Sequence, residues 1–293
     1  MRQFDANIAM GGVMDATQDK LARLTEYLRG LDGAVTAFSG GADSSFLLRV
    51  ARDALGDRVI AVTGRSLSFP QRELRAAEMF AASLGVRHFV IDSEELVLDG
   101  FSANPPNRCY LCKKELFTKI WALARERGIS QVIEASNADD EGDYRPGLQA
   151  LAELSVLSPL RLVRLGKAEI RLLSREMGLS TWDKPSFACL ASRFPYGERI
   201  EPERLRRIDA AEQFLLDRGF RQVRVRFHEQ GKLARIEVDE QGFALLADAG
   251  LRASVCGRLN ELGFAYAAVD LKGYRTGSMN ETLAWPASRE SDE

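Results

Sequence analysis

Two groups of residues in this chain have the types and spacing to do chemistry. The first is Phe38-Ser39-Gly40-Gly41-Ala42-Asp43-Ser44-Ser45. It follows the apolar run Ala34–Phe38 and precedes the amphipathic run Phe46–Ala51, an order that reads as strand, glycine turn, helix. Gly40 and Gly41 are free to take positive φ and leave room for a ligand against the backbone. The first helical N–H groups, at Ser44 and Ser45, then point at an anion in the turn, with the helix dipole behind them. The Ser39, Ser44 and Ser45 hydroxyls add donors. This is a phosphate cradle without the lysine of a P-loop; an ordinary Gly/Ser-rich turn is the bland alternative. The second group is cysteine. Cys109 and Cys112 form a C-x-x-C pair at the start of a predicted helix, where thiol pKa values fall and two sulfurs can chelate one centre. Cys189 lies beside Pro, Ser and Arg residues rather than in an apolar stripe. Three thiolates are one short of a tetrahedral zinc site, and His88 and His228 are the chain's only histidines. An iron–sulfur cluster tolerates three cysteines and leaves one iron open. Spacing alone leaves a cluster, zinc and plain redox thiols all open. Cys256, beside Val255 and near Leu259, reads as a buried small hydrophobe.

The elements that must position these residues alternate. Helix is predicted over Asp19–Leu31, Ser44–Leu55, Gln71–Leu84, Cys112–Arg127 and Lys167–Met177, and strand over Ala34–Phe38, Arg58–Thr63, His88–Asp92 and Gln131–Ala135. That alternation predicts an α/β fold with a doubly wound parallel sheet. Ligands then sit at the carboxyl ends of the strands, in the loops 39–44, 63–70, 92–107 and 136–147. From residue 196 the pattern changes. A helix (Pro202–Arg218), strands (Gln222–Phe227 and Ala234–Val238), helical stretches (Gly242–Ala249 and Leu251–Leu262) and a last strand (Tyr266–Leu271) predict a smaller C-terminal α+β domain. The domain reading is 1–195, 196–276 and a flexible tail over 277–293.

With 293 residues, 45% apolar content and 28% charged residues, the chain is long enough for two domains. A net charge of −2 gives no global basic field for a nucleic acid. No apolar stretch approaches membrane-spanning length. Residues 1–12 carry Arg2 and Asp5 and lack the apolar core of an export signal, so a cytoplasmic location is expected. In a reducing compartment a close cysteine pair favours metal or redox chemistry over a structural disulfide.

The Ser-Gly-Gly-x-Asp-Ser turn resembles the PP-loop of ATP pyrophosphatases. Together with Pro185-Ser186-Phe187-Ala188-Cys189-Leu190-Ala191-Ser192-Arg193-Phe194-Pro195-Tyr196-Gly197, the run Glu134–Asp140, Asp143–Gly147 and Arg224–His228, it resembles the LarE family over nearly the whole chain. That resemblance implies an ATP-dependent sulfur transferase acting on pyridinium-3,5-biscarboxylic acid mononucleotide, in biosynthesis of the nickel-pincer nucleotide cofactor of lactate racemase. ATP adenylates a carboxylate, sulfur displaces AMP, and a thiocarboxylate results. Family members with the late cysteine alone surrender its sulfur; those with the early pair resemble 4Fe-4S enzymes whose open iron carries sulfide. Holding Cys109, Cys112 and Cys189, this sequence matches the cluster type. The resemblance also implies homo-oligomers and a supply of sulfide or a sulfur-donor protein.

On this reading ATP and Mg²⁺ are cofactors. The loop around Ser39, Gly40, Gly41, Asp43, Ser44 and Ser45 stabilises pyrophosphate, and Asp43 is a candidate Mg²⁺ ligand. Thr63, with Gly64, Arg65 and Ser66, is expected near adenosine. Asn137, Asp139 and Asp140 follow a strand, where they meet Mg²⁺ or the reacting carboxylate; Asp140 serves equally as a turn cap. Arg145, Ser192 and Arg193 are candidate substrate contacts, and Cys189, Asp43 and Arg193 candidate catalytic residues. Arg224 and Arg226 alternate on a strand, share a face and are placed to hold the substrate phosphate. Three rivals remain: a tRNA-thiolating PP-loop enzyme, which needs an RNA surface; an amide-forming PP-loop ligase with structural or zinc-bound cysteines; and a nucleotide-binding sensor without catalysis.

Overall fold

The structure, a computed structural model, describes residues 2–140, 146–275 and 277–282, the backbone alone for 2–13 and 282. Arg145 and the end of the expected tail, from residue 283, lie outside the described residues. The chain forms two compact units: residues 1–95 with 109–187, and residues 96–108 with 188–293.

The first unit is built on four strands in the order β3-β2-β1-β4, all parallel. They are β1 (Ala34–Ala37), β2 (Val59–Arg65), β3 (Arg87–Asp92) and β4 (Val132–Ile133). Their side chains alternate between two separate apolar cores, which is what a sheet covered on both faces requires. Ala34, Phe38, Val59 and Ala61 meet α1 (Arg2–Arg29), α2 (Ala42–Leu55) and α3 (Gln71–Ser83) on one face. Val35, Ile60 and Val62 meet Phe117, Ile120 and Ala124 of α4 (Arg108–Glu126) and Leu151 of α5 (Pro146–Glu153) on the other. The short α6 (Pro159–Leu162) and α7 (Lys167–Glu176) return to the first face, where Leu160, Ile170 and Leu173 are buried. This is the α/β, parallel-sheet architecture expected from the alternation.

Details differ from the sequence reading. Helix α2 starts at Ala42, two residues earlier than expected, because Ser45 N–H already bonds Gly41 C=O at 2.9 Å. The anion-facing amides are therefore those before Ser45, which have no partner one turn back. Of the two glycines only Gly40 uses positive φ, at 68°; Gly41 is extended at φ −78°. Strand β4 has only two residues, since Glu134 N–H turns to Leu157 C=O at 2.9 Å. Helix α5 carried no recognised signal.

In the second unit, β5 (Val223–His228) pairs antiparallel with β6 (Leu233–Val238), and β6 pairs parallel with β7 (Tyr266–Val269). Helix α8 (Pro202–Leu216) packs Leu205, Ile208, Ala211 and Leu215 into the core with Val223, Val225 and Phe227. Helices α9 (Glu240–Leu245) and α10 (Ala249–Glu261) begin at aspartate caps: Asp239 accepts from Gly242 N–H at 2.8 Å and Asp248 from Leu251 N–H at 2.6 Å. This smaller α+β unit also matches expectation. Among the described residues, no helix is long and apolar enough to cross a membrane.

Candidate active site

In the first unit a cavity of about 390 Å³ opens at the carboxyl ends of the strands, lined by Ser39, Gly41, Asp43 and Ser44. Gly40 is required on two counts: its φ is positive, and an added Cβ would lie 3.1–3.3 Å from Ala77. Ser39 and Ser44 hydroxyls are 3.1 Å apart, and Ser44 Oγ also donates to Gly41 C=O at 3.2 Å. Ser45 Oγ is buried without a hydrogen bond, so this hydroxyl lies among packed groups behind the turn.

Asp43 stands in the first turn of α2. Asn137, fully buried, donates from Nδ2 to Asp43 Oδ2 at 2.9 Å and accepts Asp139 N–H at Oδ1, 3.0 Å. Asp140 Oδ2 accepts Asn137 N–H at 3.1 Å, and Asp140 Oδ1 lies 3.4 Å from Lys167 Nζ. Burial pushes the Asp43 carboxyl above its ordinary value, and the Asp140 charge adds to this; Lys167 opposes it, as do Asn137 and Arg171. Two carboxylates joined through one asparagine, by its side-chain amide and its backbone N–H, and faced by cations form a donor set of the hard-oxygen type that suits Mg²⁺. Asp139 does something different: its Oδ2 accepts Lys167 N–H at 2.6 Å and caps α7.

The apolar end of the cavity is walled by Ala37, Val62, Gly64, Leu116, Phe117 and Ile120. A Cβ on Gly64 would lie 2.7 Å from a Leu116 methyl, so the strand end stays slim. Thr63 lines this end, but its hydroxyl donates to Phe38 C=O at 2.6 Å; His88 Nε2, 2.7 Å away, then donates to Thr63. Arg65 turns out to Asp92, at 2.7 Å between exposed side chains.

Sequence reasoning missed the cations. Lys113, Lys167, Arg171 and Lys184 all line the cavity, and they come from three stretches far apart in sequence. Lys184, one residue before the Pro185–Gly197 motif, was the one within reach of inspection. Glu134, at the head of the Glu134–Asp140 run, is buried, and both its oxygens accept hydroxyls, from Ser136 at 2.7 Å and from Ser158.

In the second unit Arg193 is fully buried and gripped by both oxygens of Glu212, at 2.6 and 2.9 Å. Its remaining Nη1 donates to the carbonyls of Ala188 at 3.1 Å and Cys189 at 3.4 Å and to Ser192 Oγ at 2.9 Å. Arg193 therefore holds the backbone that presents Cys189, whose side chain is exposed. Arg224 and Arg226, on one face of β5, are buried too. Arg226 Nη2 donates to Glu237 at 2.6 Å and Ser278 at 2.8 Å, and Nη1 to Ser192 C=O at 3.1 Å. Its Nε is buried and makes no hydrogen bond. Burial first, and the Arg193 charge second, hold Arg224 down to about 10, still protonated at neutral pH. Glu212 was legible in principle: it interrupts an otherwise apolar stripe on α8.

Burial pushes the Glu212 carboxyl up, but Arg193 outweighs it and the group ends below its ordinary value. The stability it contributes is present above the ordinary carboxylate range and lost as pH falls through the lowered value. Removing one partner of such a buried pair costs about 3–5 kcal/mol. Glu212→Ala should lower the urea midpoint accordingly; an unchanged midpoint would show that the pair holds nothing.

Cys109 is exposed and Cys112 half-buried, one turn apart on α4, and no cysteine is in a disulfide; Cys256, expected in the core, is exposed on α10 because the buried stripe there runs through Val255 and Leu259. Cys109 and Cys112 belong to the first unit and Cys189 to the second. Among the described residues no three His, Cys, Asp or Glu side chains are gathered to hold a metal ion.

Residues 16–139 match the NAD synthase family. A pyridinium-3,5-bisthiocarboxylic acid mononucleotide synthase of Lactiplantibacillus plantarum is 37% identical over 268 residues, 90% of this chain and 95% of the relative. An uncharacterised protein of Synechocystis is 41% identical over 267 residues, 91% and 98% of the two chains. A tRNA-specific 2-thiouridylase of Rickettsia akari is 27% identical over 261 residues, 79% and 67%. A parallel sheet that delivers a Ser-Gly-Gly-x-Asp-Ser turn to a helix N-terminus defines an ATP-using enzyme of the PP-loop ATP pyrophosphatase class. Within that class the chain belongs to the LarE family, that of the Lactiplantibacillus synthase.

Proposed function

We propose that this enzyme adenylates a carboxylate of pyridinium-3,5-biscarboxylic acid mononucleotide and replaces the adenylate with sulfur, in biosynthesis of the nickel-pincer nucleotide cofactor of lactate racemase. The observation that carries this is the 37% likeness to the Lactiplantibacillus synthase over nine-tenths of the chain. A carboxylate oxygen attacks the α-phosphorus; the bond to the bridging oxygen breaks and its electron pair leaves with pyrophosphate. Sulfide then attacks the acyl carbon, and AMP departs with the electron pair of the C–O bond. Asp43 and Asp140 would hold Mg²⁺, with Asn137 keeping them in register, while Ser39, Gly40, Gly41 and Ser44 shape the phosphate cradle. Thr63, Val62 and Gly64 bound the adenosine. The orphan Nε of Arg226, beside Arg224, supports a phosphate of the substrate there. Ser192 and Arg193 serve the reaction by fixing the Cys189 loop, and Arg145 remains a candidate substrate contact.

Cys109, Cys112 and Cys189 would hold a [4Fe–4S] group. Cysteines outside any disulfide, two of them a helical turn apart, are the soft donors such a group takes. When bound it offers one iron without a protein ligand, open to sulfide. The reaction is tested by incubating anaerobically purified protein with ATP, Mg²⁺ and the pyridinium substrate. AMP and pyrophosphate should form only when all are present; ADP and phosphate would overturn the reading. Tight tRNA binding at moderate salt would favour thiolation of RNA instead.

A further inference from the structure

Lys184 sits in a stretch clamped by Arg171, which donates from Nη1 to Trp182 C=O at 3.1 Å and from Nη2 to Lys184 C=O at 2.8 Å. The Lys184 ammonium donates to Gly40 C=O at 2.8 Å and pairs with Glu73, also at 2.8 Å. Both side chains are largely buried, 20% and 9% exposed. Of the other cavity cations, Arg171 serves backbone carbonyls and Lys167 faces Asp140. Among the described residues, Lys184 is the cation that touches the glycine turn itself.

The geometry points to Lys184 as the cation that closes on the β- and γ-phosphates of ATP and on pyrophosphate as it leaves, held meanwhile on Glu73 and the Gly40 carbonyl. This deepens the reading that ATP is split between its α- and β-phosphates. When that bond breaks, the electron pair passes to the bridging oxygen, and pyrophosphate gains negative charge. The turn offers this charge only neutral donors, N–H groups and hydroxyls. A charged donor within the cavity strengthens that interaction more than a further neutral one would. An ammonium has three N–H donors, and Gly40 and Glu73 take two of them. Glu73 neutralises Lys184 while no anion is bound, which makes a largely buried ammonium tolerable. The bond to Gly40 has a second effect. A planar trans peptide sets the Gly41 N–H opposite the Gly40 carbonyl, so fixing one direction fixes the other.

The test is calorimetric binding of pyrophosphate and of AMP, each alone with Mg²⁺, to the full chain. Lys184→Met should weaken pyrophosphate about 10- to 100-fold, the range of a lost charged hydrogen bond, and leave AMP nearly unchanged. Lys184→Arg should restore most of the loss. Glu73→Gln keeps the ammonium and removes its competitor, so pyrophosphate should bind as tightly or more tightly. A lysine with only a structural role would make Glu73→Gln weaken pyrophosphate binding, and that result overturns the proposal even should Lys184→Met fail to fold. Wild-type affinity in Lys184→Met overturns it directly. A wild-type protein that binds neither ATP nor pyrophosphate removes the ATP-site reading itself.

Discussion

Asp43→Asn should abolish nearly all ATP cleavage while leaving the protein at least as stable at neutral pH. The two effects have one cause. Burial, helped by Asp140, raises the Asp43 carboxyl above its ordinary value despite Lys167, Asn137 and Arg171. A raised carboxyl pKa means that ionisation costs the folded state stability. The cost is fully present above the folded pKa and disappears as pH falls below the unfolded one. Asparagine removes it, keeps the shape, and still offers an oxygen to Asn137 Nδ2. The variant's melting temperature should therefore equal or exceed wild type at pH 7, with the gap closing near pH 3. Activity should move the other way. Losing an outer-shell partner of a metal already costs about 10- to 100-fold, and a direct Mg²⁺ ligand should cost more. Wild-type activity should also fall on the acid side as Asp43 gains its proton. Pyrophosphate release followed from pH 5 to 8, beside thermal unfolding of both proteins, checks this. An Asp43→Asn protein that cleaves ATP within threefold of wild type would remove Asp43 from the metal site.

The fold was legible because both faces of its sheet are covered. Strand β1 reads Ala34-Val35-Thr36-Ala37, with no apolar–polar alternation; Ala34 packs into one core, and Val35 and Ala37 into the other. The glycine turn was legible for a similar reason: its demand on backbone conformation is local, and Gly40 meets it alone. Charge partnerships were not legible. Arg193 and Glu212 lie 19 residues apart and Lys184 and Gly40 lie 144 apart, and no local pattern links them. Arg224 and Arg226 were correctly placed on one face. That the face is buried depends on Glu237 and Ser278, which arrive from β6 and from beyond β7. The sequence reading thus found the turn whose backbone demand is local, and missed the partners that reach it from far along the chain.

Cys189 should emerge from many turnovers with its sulfur in place. Its loop is fixed by Arg193, which grips the Ala188 and Cys189 carbonyls while paired to buried Glu212. The thiol itself stays exposed. Such placement suits a permanent ligand as well as a sacrificial donor, so the cysteines of the other unit decide. A donor acting alone has no use for Cys109 and Cys112, one turn apart at the start of α4. A site needing three thiolates uses all of them, and surrendering one sulfur would destroy it after a single turnover. Reconstituted anaerobically, the protein should bind about four irons per chain. Alanine at Cys109, Cys112 or Cys189 should bleach it, and Cys256→Ala should not. With sulfide supplied, thiocarboxylate should exceed the enzyme present, and the peptide from Pro185 to Arg193 should keep its mass. A loss of about 34 Da, as cysteine becomes dehydroalanine, rising in step with product would establish the sacrificial route. Stoichiometric zinc without iron in the wild-type protein would equally overturn the three-thiolate reading. The chosen variants separate the two failures: zinc binding should respond to all three cysteines, whereas a sacrificial Cys189 would act unchanged in Cys109→Ala.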